Sequence, residues 1–387
     1  MRAGRPRSGT EIMMDTHEKA ALELSLVPGI GAWLQSNIWR ASPDLAQVLH
    51  MSGSELEAIG ISKEAGAAIR SRRYRPMAEE ILDWAGREKC RLVARGSPEY
   101  PALLGEIHDP PLVLYCRGKL EALDRPGVAI VGTRRPTFYG LQMAQGMAYD
   151  LAKRDLVVIS GLARGVDGAA HRGCLDAGGC TIAVLGCGID VVYPREHRQL
   201  TQQIIGNGLI ISEFPPGTSP APQNFPVRNR IISGIALGTV IVEASEYSGS
   251  LITARLAMDQ NREVFAVPGN LTSPQSFGPN FLIKQGAKLV QVWRDIVEEL
   301  PAEVRHGILA KEDSGSAEKP DLELVTEEEN SILEMLAYDQ PVQFDRILKL
   351  SGMGIPQLSE LLLNLEMRGR IRQVPGNLYI RVARRPT

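Results

Sequence analysis

Residues 157–179 read VVISGLARGVDGAAHRGCLDAGG. A short apolar run ends in Ser160-Gly161, Arg164 follows on a glycine turn, and a helical pattern begins after Gly165. A strand, a glycine turn and a helix in this order form a cradle for phosphate, because the backbone amides at the helix N-terminus attract anions. The stretch therefore predicts a phosphate site, which could serve a small nucleotide or a polynucleotide backbone.

Similar short apolar runs, each followed by glycine or a small residue, occur along the middle of the chain. Strands that are buried on both faces of a parallel sheet have this pattern, and the intervals between the runs leave room for crossover helices. We therefore predict an α/β fold with an extended, Rossmann-like, doubly wound parallel sheet, whose ligands bind beyond the carboxyl ends of the strands. The runs are 128–132, 156–161, 181–186, 209–213, 239–244 and 263–269.

Two smaller domains are predicted beside this sheet. Apolar residues at helical spacing over 18–90 indicate a small helical domain of the helix-hairpin-helix or SAM-like type. Its turn at 28–31 either contacts DNA phosphates through glycine amides or only joins two helices. Three helical stretches and two short strands over 324–387 indicate a winged helix. We assign 1–17 to a disordered lead-in, 91–305 to the Rossmann-like domain, and 306–323 to a polar linker.

The third helix of the predicted winged helix carries Glu360 and Glu366 but only Arg368 as a cation. A helix that reads duplex DNA needs more positive charge than this. The pattern favours a protein-contact or accessory role for this domain.

The composition is that of an ordinary globular protein. Forty-three basic and 45 acidic residues give a net charge of −2, so any attraction for nucleic acid must be local. Five cysteines without a CxxC spacing indicate buried thiols in a reducing compartment, which predicts a cytoplasmic protein. No apolar run is long enough to suggest a membrane span.

Glycine, serine and arginine gather after the predicted strands. Small residues leave backbone amides open to anions, and arginine supplies forked donors for phosphate oxygens. Several arginines on one rim favour phosphate binding over unrelated surface charges. The candidate binding residues are Gly132, Thr133, Arg134, Ser160, Gly161, Arg164, Gly165, Arg195, Phe225, Arg228, Asn229, Arg230, Ser248, Gly249 and Ser250.

Single-stranded nucleic acid also needs stacking surfaces. Phe138, Tyr139, Tyr193 and Phe225 lie near the basic loops, where each could stack on a base or pack in the core. Phe225, in a predicted proline-rich loop that also carries Arg228 and Arg230, is expected to be exposed.

Signatures of nucleotide enzymes are missing. There is no GxGxxG after the first strand, no GxxxxGK[ST], no GxSxG and no metal-ligand spacing, so we predict no cofactor, no metal and no catalytic residue. Asp167 is interpreted as a partner of the helix dipole and His171 as a packing residue. A phosphate-binding rim without a catalyst suits a protein that holds an extended polyanion.

These segments together make the sequence similar to the DprA/Smf family of bacterial DNA-processing proteins. The resemblance covers about residues 95 to 290. It departs at His197 and at Gln260-Asn261, which do not affect the arginines. The runs that carry it are VAIVGTRRPTFYG, VISGLARGVDGAAHRGCLDAGG, TIAVLGCGIDVVYPREH, ISEFPPGTSPAPQNFPVRNRIISG, VEASEYSGSLITARLA, VFAVPGN and SFGPNFLIKQGA.

The resemblance implies a non-enzymatic protein of natural transformation. Such a protein binds and protects incoming single-stranded DNA, loads the RecA recombinase onto it, and works as a homodimer without a membrane partner. The motifs that the family places at its DNA pocket match Gly132, Thr133, Arg134, Ser160, Gly161, Arg164, Gly165, Arg195, Phe225, Arg228 and Arg230.

A nucleotide N-glycosidase-like Rossmann enzyme is the alternative. Related proteins use a glutamate beside a glycine-rich loop, and Glu243 with 248–250 occupies a similar place along this chain. The Pro-Gly-Gly-x-Gly-Thr sequence of those enzymes is absent, which disfavours this reading.

Overall fold

A computed structural model describes residues 16–314, 326–338 and 340–382 of the chain. Its centre is a nine-stranded sheet in the order β1-β2-β6-β5-β4-β3-β7-β8-β9. The strands are β1 (Arg91–Ala94), β2 (Val113–Gly118), β3 (Gly127–Val131), β4 (Val157–Ser160), β5 (Thr181–Val184), β6 (Leu209–Ser212), β7 (Gly238–Ile241), β8 (Glu263–Ala266) and β9 (Lys288–Leu289).

Seven of these strands, β3 to β9, run parallel, while β1 and β2 add an antiparallel edge. The chain proceeds from β3 through β4 and β5 to β6 on one side, then crosses to β7 on the other side of β3. This reversal at β3 is the switch point at which doubly wound sheets bind ligands.

Helices cover both faces of the sheet. They are α7 (Ala102–Gly105), α8 (Phe138–Ala152), α9 (Val166–Asp176), α10 (Arg198–Asn207), α11 (Asn224–Gly234), α12 (Gly249–Asp259), α13 (Phe277–Lys284), α14 (Trp293–Val297) and α15 (Ala302–Ser314). Short 3-10 turns lie at Leu120–Asp124, Arg195–His197 and Pro274–Ser276.

The central parallel strands are mostly apolar because each face of the sheet there is buried under helices. Val128 and Ile130 of β3 belong to one hydrophobic cluster, whereas Ala129 and Val131 belong to the cluster on the opposite face. Alternate residues of a strand point to opposite faces, so a strand with two buried faces has few polar positions.

Six helices form the N-terminal domain and share a hydrophobic cluster with β1 and β2. The turn between the first two includes Gly29 at φ +87°. They are α1 (Thr16–Ser25), α2 (Ala32–Ala41), α3 (Leu45–Val48), α4 (Gly53–Ala58), α5 (Lys63–Arg70) and α6 (Arg75–Arg87).

The C-terminal winged helix has a hydrophobic cluster of its own. Three strands form its small sheet in the order β10-β12-β11. Its elements are α16 (Glu327–Met335), β10 (Val342–Gln343), α17 (Phe344–Ser351), α18 (Ile355–Met367), β11 (Ile371–Val374) and β12 (Leu378–Arg381).

The fold class predicted from the sequence is confirmed, including all six apolar strands and the winged helix. The antiparallel edge strands β1 and β2 and the short β9 were not predicted. Helix α15 continues to Ser314, past the predicted domain end at residue 305, because Ile308 is buried in the same cluster as α14. Residues 1–15, 315–325, 339 and 383–387 lie outside the described residues, and they include most of the predicted lead-in and half of the predicted linker. All five cysteines are buried free thiols, as predicted.

Candidate nucleic-acid interface

A cleft of about 730 Å³ opens at the carboxyl ends of β3 and β7, at the switch point of the sheet. A smaller pocket adjoins it near the ends of β4 and β5 and shares the wall formed by Arg134, Tyr193, Phe225 and Arg228. The structure thus brings together loops that are far apart in the sequence, as the predicted topology requires.

A stacked pair of aromatic rings lies in the shared wall. The ring centroids of Tyr193 and Phe225 are 5.6 Å apart with an interplanar angle of 28°, and Tyr193 is 39% exposed. The guanidinium carbon of Arg134 lies 5.0 Å from the centroid of Phe225. A side chain at Gly186 would place its Cβ 2.8 Å from the Phe225 ring, so glycine is needed there. Aromatic rings joined to a cation form a surface on which a nucleobase can stack.

The segment that carries Phe225 differs from the prediction. Phe225, Arg228, Asn229 and Arg230 lie on the first turns of α11, which begins at Asn224, and not in a loop. Residues three and four apart share one side of a helix, so Phe225, Arg228 and Asn229 all line the cleft.

Arg230 is directed away from the cleft because it is only two residues from Arg228 on a helix. It is 3% exposed, and its guanidinium donates to the Glu213 carboxylate at 2.5 and 2.7 Å and lies 3.2 Å from Asp109. This buried ion pairing contradicts the expectation that Arg230 lies on the phosphate-binding rim.

Arg228 forms the floor of the cleft and is 4% exposed. Its Nη1 donates to the carbonyl of Gly161 at 2.6 Å and to the carbonyl of Val184. Burial lowers the pKa of Arg228 to about 10, an effect that the nearby Asp167 carboxylate opposes. A Cβ at Gly161 would lie 2.6 Å from this guanidinium. Arg228 therefore holds the ends of β4 and β5 together.

Asp167 is buried at the start of α9, and burial raises its pKa. Its carboxylate accepts from the backbone N–H of Ala163 at 3.3 Å. These contacts agree with the interpretation of Asp167 as a structural residue of the helix N-terminus.

Other predicted residues shape the loops of the cleft. Ser160 is fully buried and donates to the carbonyl of Ile130 at 2.6 Å, so its side chain does not reach the cleft. The N–H of Thr133 donates to the carbonyl of Glu243 at 2.7 Å, next to Gly132. Gly165 adopts φ +76°, and a Cβ there would lie 2.4 Å from the Thr133 carbonyl. These three residues fix backbone positions.

The exposed arginines that line the cleft or the smaller pocket are Arg134, Arg135 and Arg164, whereas Arg195 is also exposed but lines neither of them. Among the described residues, only Arg164 of these four has an ion pair, with Glu196. Arg195 begins the 3-10 turn that follows Pro194. Arg135 also lines the cleft, although it was not predicted to do so, and its position directly after Arg134 was the available signal.

At the opposite end of the cleft, Ser248, Gly249 and Ser250 form the start of α12. Ser248 caps the helix, accepting from the Ser250 N–H at 3.4 Å. The amide of Asn229 lies 3.4 Å from the carbonyl of Gly249. This end of the cleft is lined by neutral hydrogen-bonding groups.

Glu243 is buried behind the cleft and accepts hydrogen bonds from Thr137, the N-cap residue of α8. Its carboxylate accepts from the N–H of Thr137 at 2.8 Å and from the Thr137 hydroxyl at 2.6 Å. A Cβ at Gly140 would lie 2.2 Å from a Glu243 oxygen, so the carboxylate occupies the space that glycine leaves open. Burial raises the pKa of Glu243, and the hydrogen bonds from Thr137 oppose that rise.

His171 is fully buried on α9, in agreement with its interpretation as a packing residue. Its Nδ1 lies 2.7 Å from the Thr181 hydroxyl, which itself donates to the carbonyl of Val158 at 2.6 Å. Because that hydroxyl has one proton, Nδ1 must donate to it, and Nε2 has no hydrogen-bond partner within the described residues. Burial lowers the pKa of His171 to about 3.

The described residues provide neither a metal site nor a membrane-spanning helix. No group of three or more His, Cys, Asp or Glu side chains there could hold a metal ion. No helix there is both long enough and apolar enough to cross a bilayer.

Comparison with known proteins identifies the family. Residues 91–301 match the model of DNA recombination-mediator protein A, and residues 316–377 match the DprA winged helix domain. The chain is 37% identical to Protein Smf of Escherichia coli strain K12 over 352 residues, which is 88% of this chain and 92% of that protein. It is 38% identical to DNA processing protein DprA of Bacillus subtilis over 266 residues, covering 68% of this chain and 88% of that protein.

Two solved structures agree with this result. DNA processing protein A of Streptococcus pneumoniae superposes with a TM-score of 0.64 at 33% identity and covers 74% of this chain and 99% of that one. DNA processing protein A of Helicobacter pylori, described for its single-stranded DNA binding mode, gives a TM-score of 0.50 at 34% identity, covering 54% of this chain and 94% of that one. The chain therefore belongs to the DprA/Smf family of DNA processing proteins.

Proposed function

We propose that this protein binds and protects incoming single-stranded DNA in natural transformation and loads the RecA recombinase onto it. It acts in the cytoplasm, as a homodimer and without catalysing a reaction. The family supports the mediator role, since the model that matches the central domain is that of a recombination mediator, and a relative is described as binding single-stranded DNA.

The observation that carries the proposal is the stack of Tyr193, Phe225 and Arg134 in the wall of a cleft with further arginines on its rim. Stacking needs a base whose face is free, which a single strand offers and a duplex does not. Guanidinium groups beside the rings neutralise the phosphates of the same strand. The combination favours a single strand over a mononucleotide or a duplex.

The winged helix gives little support to duplex binding. The solvent-exposed side chains of α18 include Glu360, Leu363 and Met367, and the helix contains no lysine or arginine. A recognition helix in the major groove would face a dense array of phosphates. A contact with protein fits this surface better.

The glycosidase alternative needs a glutamate that can reach a substrate. The Glu243 carboxylate is 2% exposed, and both of its oxygens accept hydrogen bonds from Thr137. This arrangement suits a helix-capping residue and disfavours the alternative.

For the homodimer we propose the open edge of the sheet at β9. Phe277 and Phe281 of α13 stack with ring centroids 6.2 Å apart and are 46% and 47% exposed, and Leu289 of β9 is 41% exposed. Large apolar side chains beside an unpaired edge strand are unusual on a monomer. A second copy applied to the same face by a twofold axis would cover them.

Fluorescence anisotropy with labelled oligo(dT) and with a duplex of equal length, each at two salt concentrations, tests DNA binding. We expect tighter binding of the single strand, with an affinity that falls as salt rises because phosphate contacts release counterions. Equal affinity for the two DNAs would contradict the proposal. Purified protein incubated with nucleoside monophosphates should release no free base.

A further inference from the structure

Arg164, which lines the smaller pocket, forms a bidentate ion pair with Glu196. Arg164 Nε donates to one carboxylate oxygen of Glu196, and Nη2 donates to the other at 3.0 Å. Hydrogen bonding from Arg164 lowers the pKa of Glu196 to about 2, so the carboxylate is charged at any physiological pH. Both side chains are solvent-exposed, at 62% and 49%.

The ion pair connects two loops that are already joined beneath it. His197, the residue after Glu196, is buried, and its Nδ1 lies 3.0 Å from the carbonyl of Leu162. A Cβ at Gly168 would lie 2.8 Å from the His197 ring, so the turn sits closely against α9. Glu196 is therefore held within reach of Arg164 by the packing of its neighbour.

The position of Arg164 makes this pairing unexpected. Arg164 lines the same pocket as Arg134 and Phe225, yet its donors are occupied by a carboxylate of the protein itself. Arg134 and Arg135, which line the adjoining cleft, have no ion pair among the residues that the structure describes. The guanidinium of Arg164 is thus paired with a carboxylate of the protein, whereas the exposed arginines of the cleft have no carboxylate partner among the described residues.

We propose that Glu196 is a specificity residue that competes with DNA phosphate for Arg164. This inference rests on the proposed function. A free phosphate or a mononucleotide must displace a tethered bidentate carboxylate with a single contact. A strand already held by stacking and by other arginines delivers its phosphate to Arg164 at a high effective concentration and displaces Glu196. The cleft therefore selects long strands over short anions.

The size of the effect follows from the exposure of the pair. Exposed ion pairs are weak, so we expect removal of Glu196 to tighten binding by about two- to five-fold. Glu196→Gln keeps the shape of the side chain and removes its charge. The salt dependence of single-strand binding should steepen by up to about 0.7 in the log–log slope, the value for one added phosphate contact.

The experiment uses the full chain and labelled oligo(dT), with inorganic phosphate and thymidine monophosphate as competitors. Glu79→Gln is the matched control, since Glu79 pairs with Arg75 at 60% and 59% exposure on α6, outside the cleft, and the charge change is the same. We expect Glu196→Gln to bind oligo(dT) more tightly and to be displaced by lower concentrations of the small anions, whereas Glu79→Gln behaves as the wild type.

A double-mutant cycle with Arg164→Ala separates competition from a general charge effect. If Glu196 competes for Arg164, its removal tightens binding only when Arg164 is present. An equal gain from Glu196→Gln in the Arg164→Ala background would overturn the inference, as would equal behaviour of Glu196→Gln and Glu79→Gln. Failure of the wild type to bind oligo(dT) would instead overturn the proposed function.

Discussion

Arg228 and Arg230 stand two residues apart on α11 and have opposite surroundings. The guanidinium of Arg228 contacts the carbonyls of Gly161 and Val184 beneath the cleft, whereas that of Arg230 is held by Glu213 and Asp109 on the other side of the helix. A separation of two residues rotates a helical side chain by more than half a turn. Of these two neighbouring arginines, Arg228 therefore supports the cleft, whereas Arg230 forms a buried ion pair away from it.

Arg230→Ala should unfold the protein more readily and should not remove a DNA contact. The substitution leaves the Glu213 carboxylate buried without its partner, which costs about 3–5 kcal/mol. Urea denaturation measures this loss, with Arg134→Ala as the control because Arg134 is exposed and has no ion pair among the described residues. Unchanged stability in Arg230→Ala would contradict the assignment.

Phe225→Ala should weaken binding of single-stranded DNA by about 1–3 kcal/mol, the usual value of one base–aromatic stack. Phe225→Trp should bind nearly as well as the wild type, since it keeps an aromatic face. Anisotropy titrations with oligo(dT) give both values. Equal affinities of the alanine and tryptophan variants would remove stacking from the mechanism.

Arg134→Ala should weaken binding to all sequences alike. It should also reduce the slope of log affinity against log salt by about 0.7, the value for one phosphate contact on a single strand. Arg75→Ala, on the surface of α6, provides the control for a change in net charge. A slope that both variants change equally would argue against a direct phosphate contact.

Glu243→Gln should destabilise the protein and leave DNA binding intact. The amide cannot accept both hydrogen bonds from Thr137 through two oxygens, and the loss is expected to be about 1–3 kcal/mol. Gly140→Ala should act on the same contact by sterically displacing the carboxylate. Urea denaturation of both variants, with an anisotropy titration of Glu243→Gln, tests this role.

Stability should depend on the protonation of His171. Its pKa is about 3 in the folded protein against an ordinary value of 6.5, so the unfolded chain binds the proton more readily between these values. The contribution of His171 is therefore complete above pH 6.5 and declines by about 1.4 kcal/mol for each pH unit as pH falls towards 3.

Denaturation curves at pH 7.5 and pH 5 measure this dependence. His171→Gln should lose less stability between the two pH values than the wild type, whereas His50→Gln, on an exposed histidine, should follow the wild type. Parallel losses in all three proteins would show that His171 is not the titrating group.

Self-association should depend on the β9 edge. Phe281→Glu places a charge in the exposed aromatic pair, and sedimentation velocity should then show a monomer where the wild type gives a dimer. Met77→Glu introduces the same charge at a half-exposed residue of α6 and should leave the dimer intact. A dimer in both variants would place the interface elsewhere.

Much of the fold could be predicted because a parallel sheet covered on both faces gives apolar strands that are easily recognised, such as 128–132 and 156–161. Strand β2 follows a segment with several prolines, which obscures its start. It also pairs antiparallel with β6, so it stands outside the regular alternation of strand and helix by which the parallel strands were recognised. Strand β9 has two residues, too few for any periodicity.

The candidate site was predictable in its location and less so in its details. The carboxyl ends of the strands had to meet, which placed Arg134, Gly161 and Ser248 together. The sequence could not indicate that α11 begins at Asn224, and this start decides which of Arg228 and Arg230 faces the cleft. Nor could it show that the Glu196 carboxylate would form an ion pair with Arg164, since their contact depends on how two loops pack.

The buried guanidinium of Arg228 bears on the rate at which the cleft would bind a DNA strand. Its hydrogen bonds to the carbonyls of Gly161 and Val184 hold the carboxyl ends of β4 and β5 at a fixed separation, so the width of the pocket there is set in the absence of a ligand. A cleft whose width is fixed in advance loses little conformational entropy when a strand binds. Binding then does not require its walls to rearrange first. For the proposed binding of single-stranded DNA we therefore expect an association rate that is set by diffusion and charge and not by rearrangement of the loops.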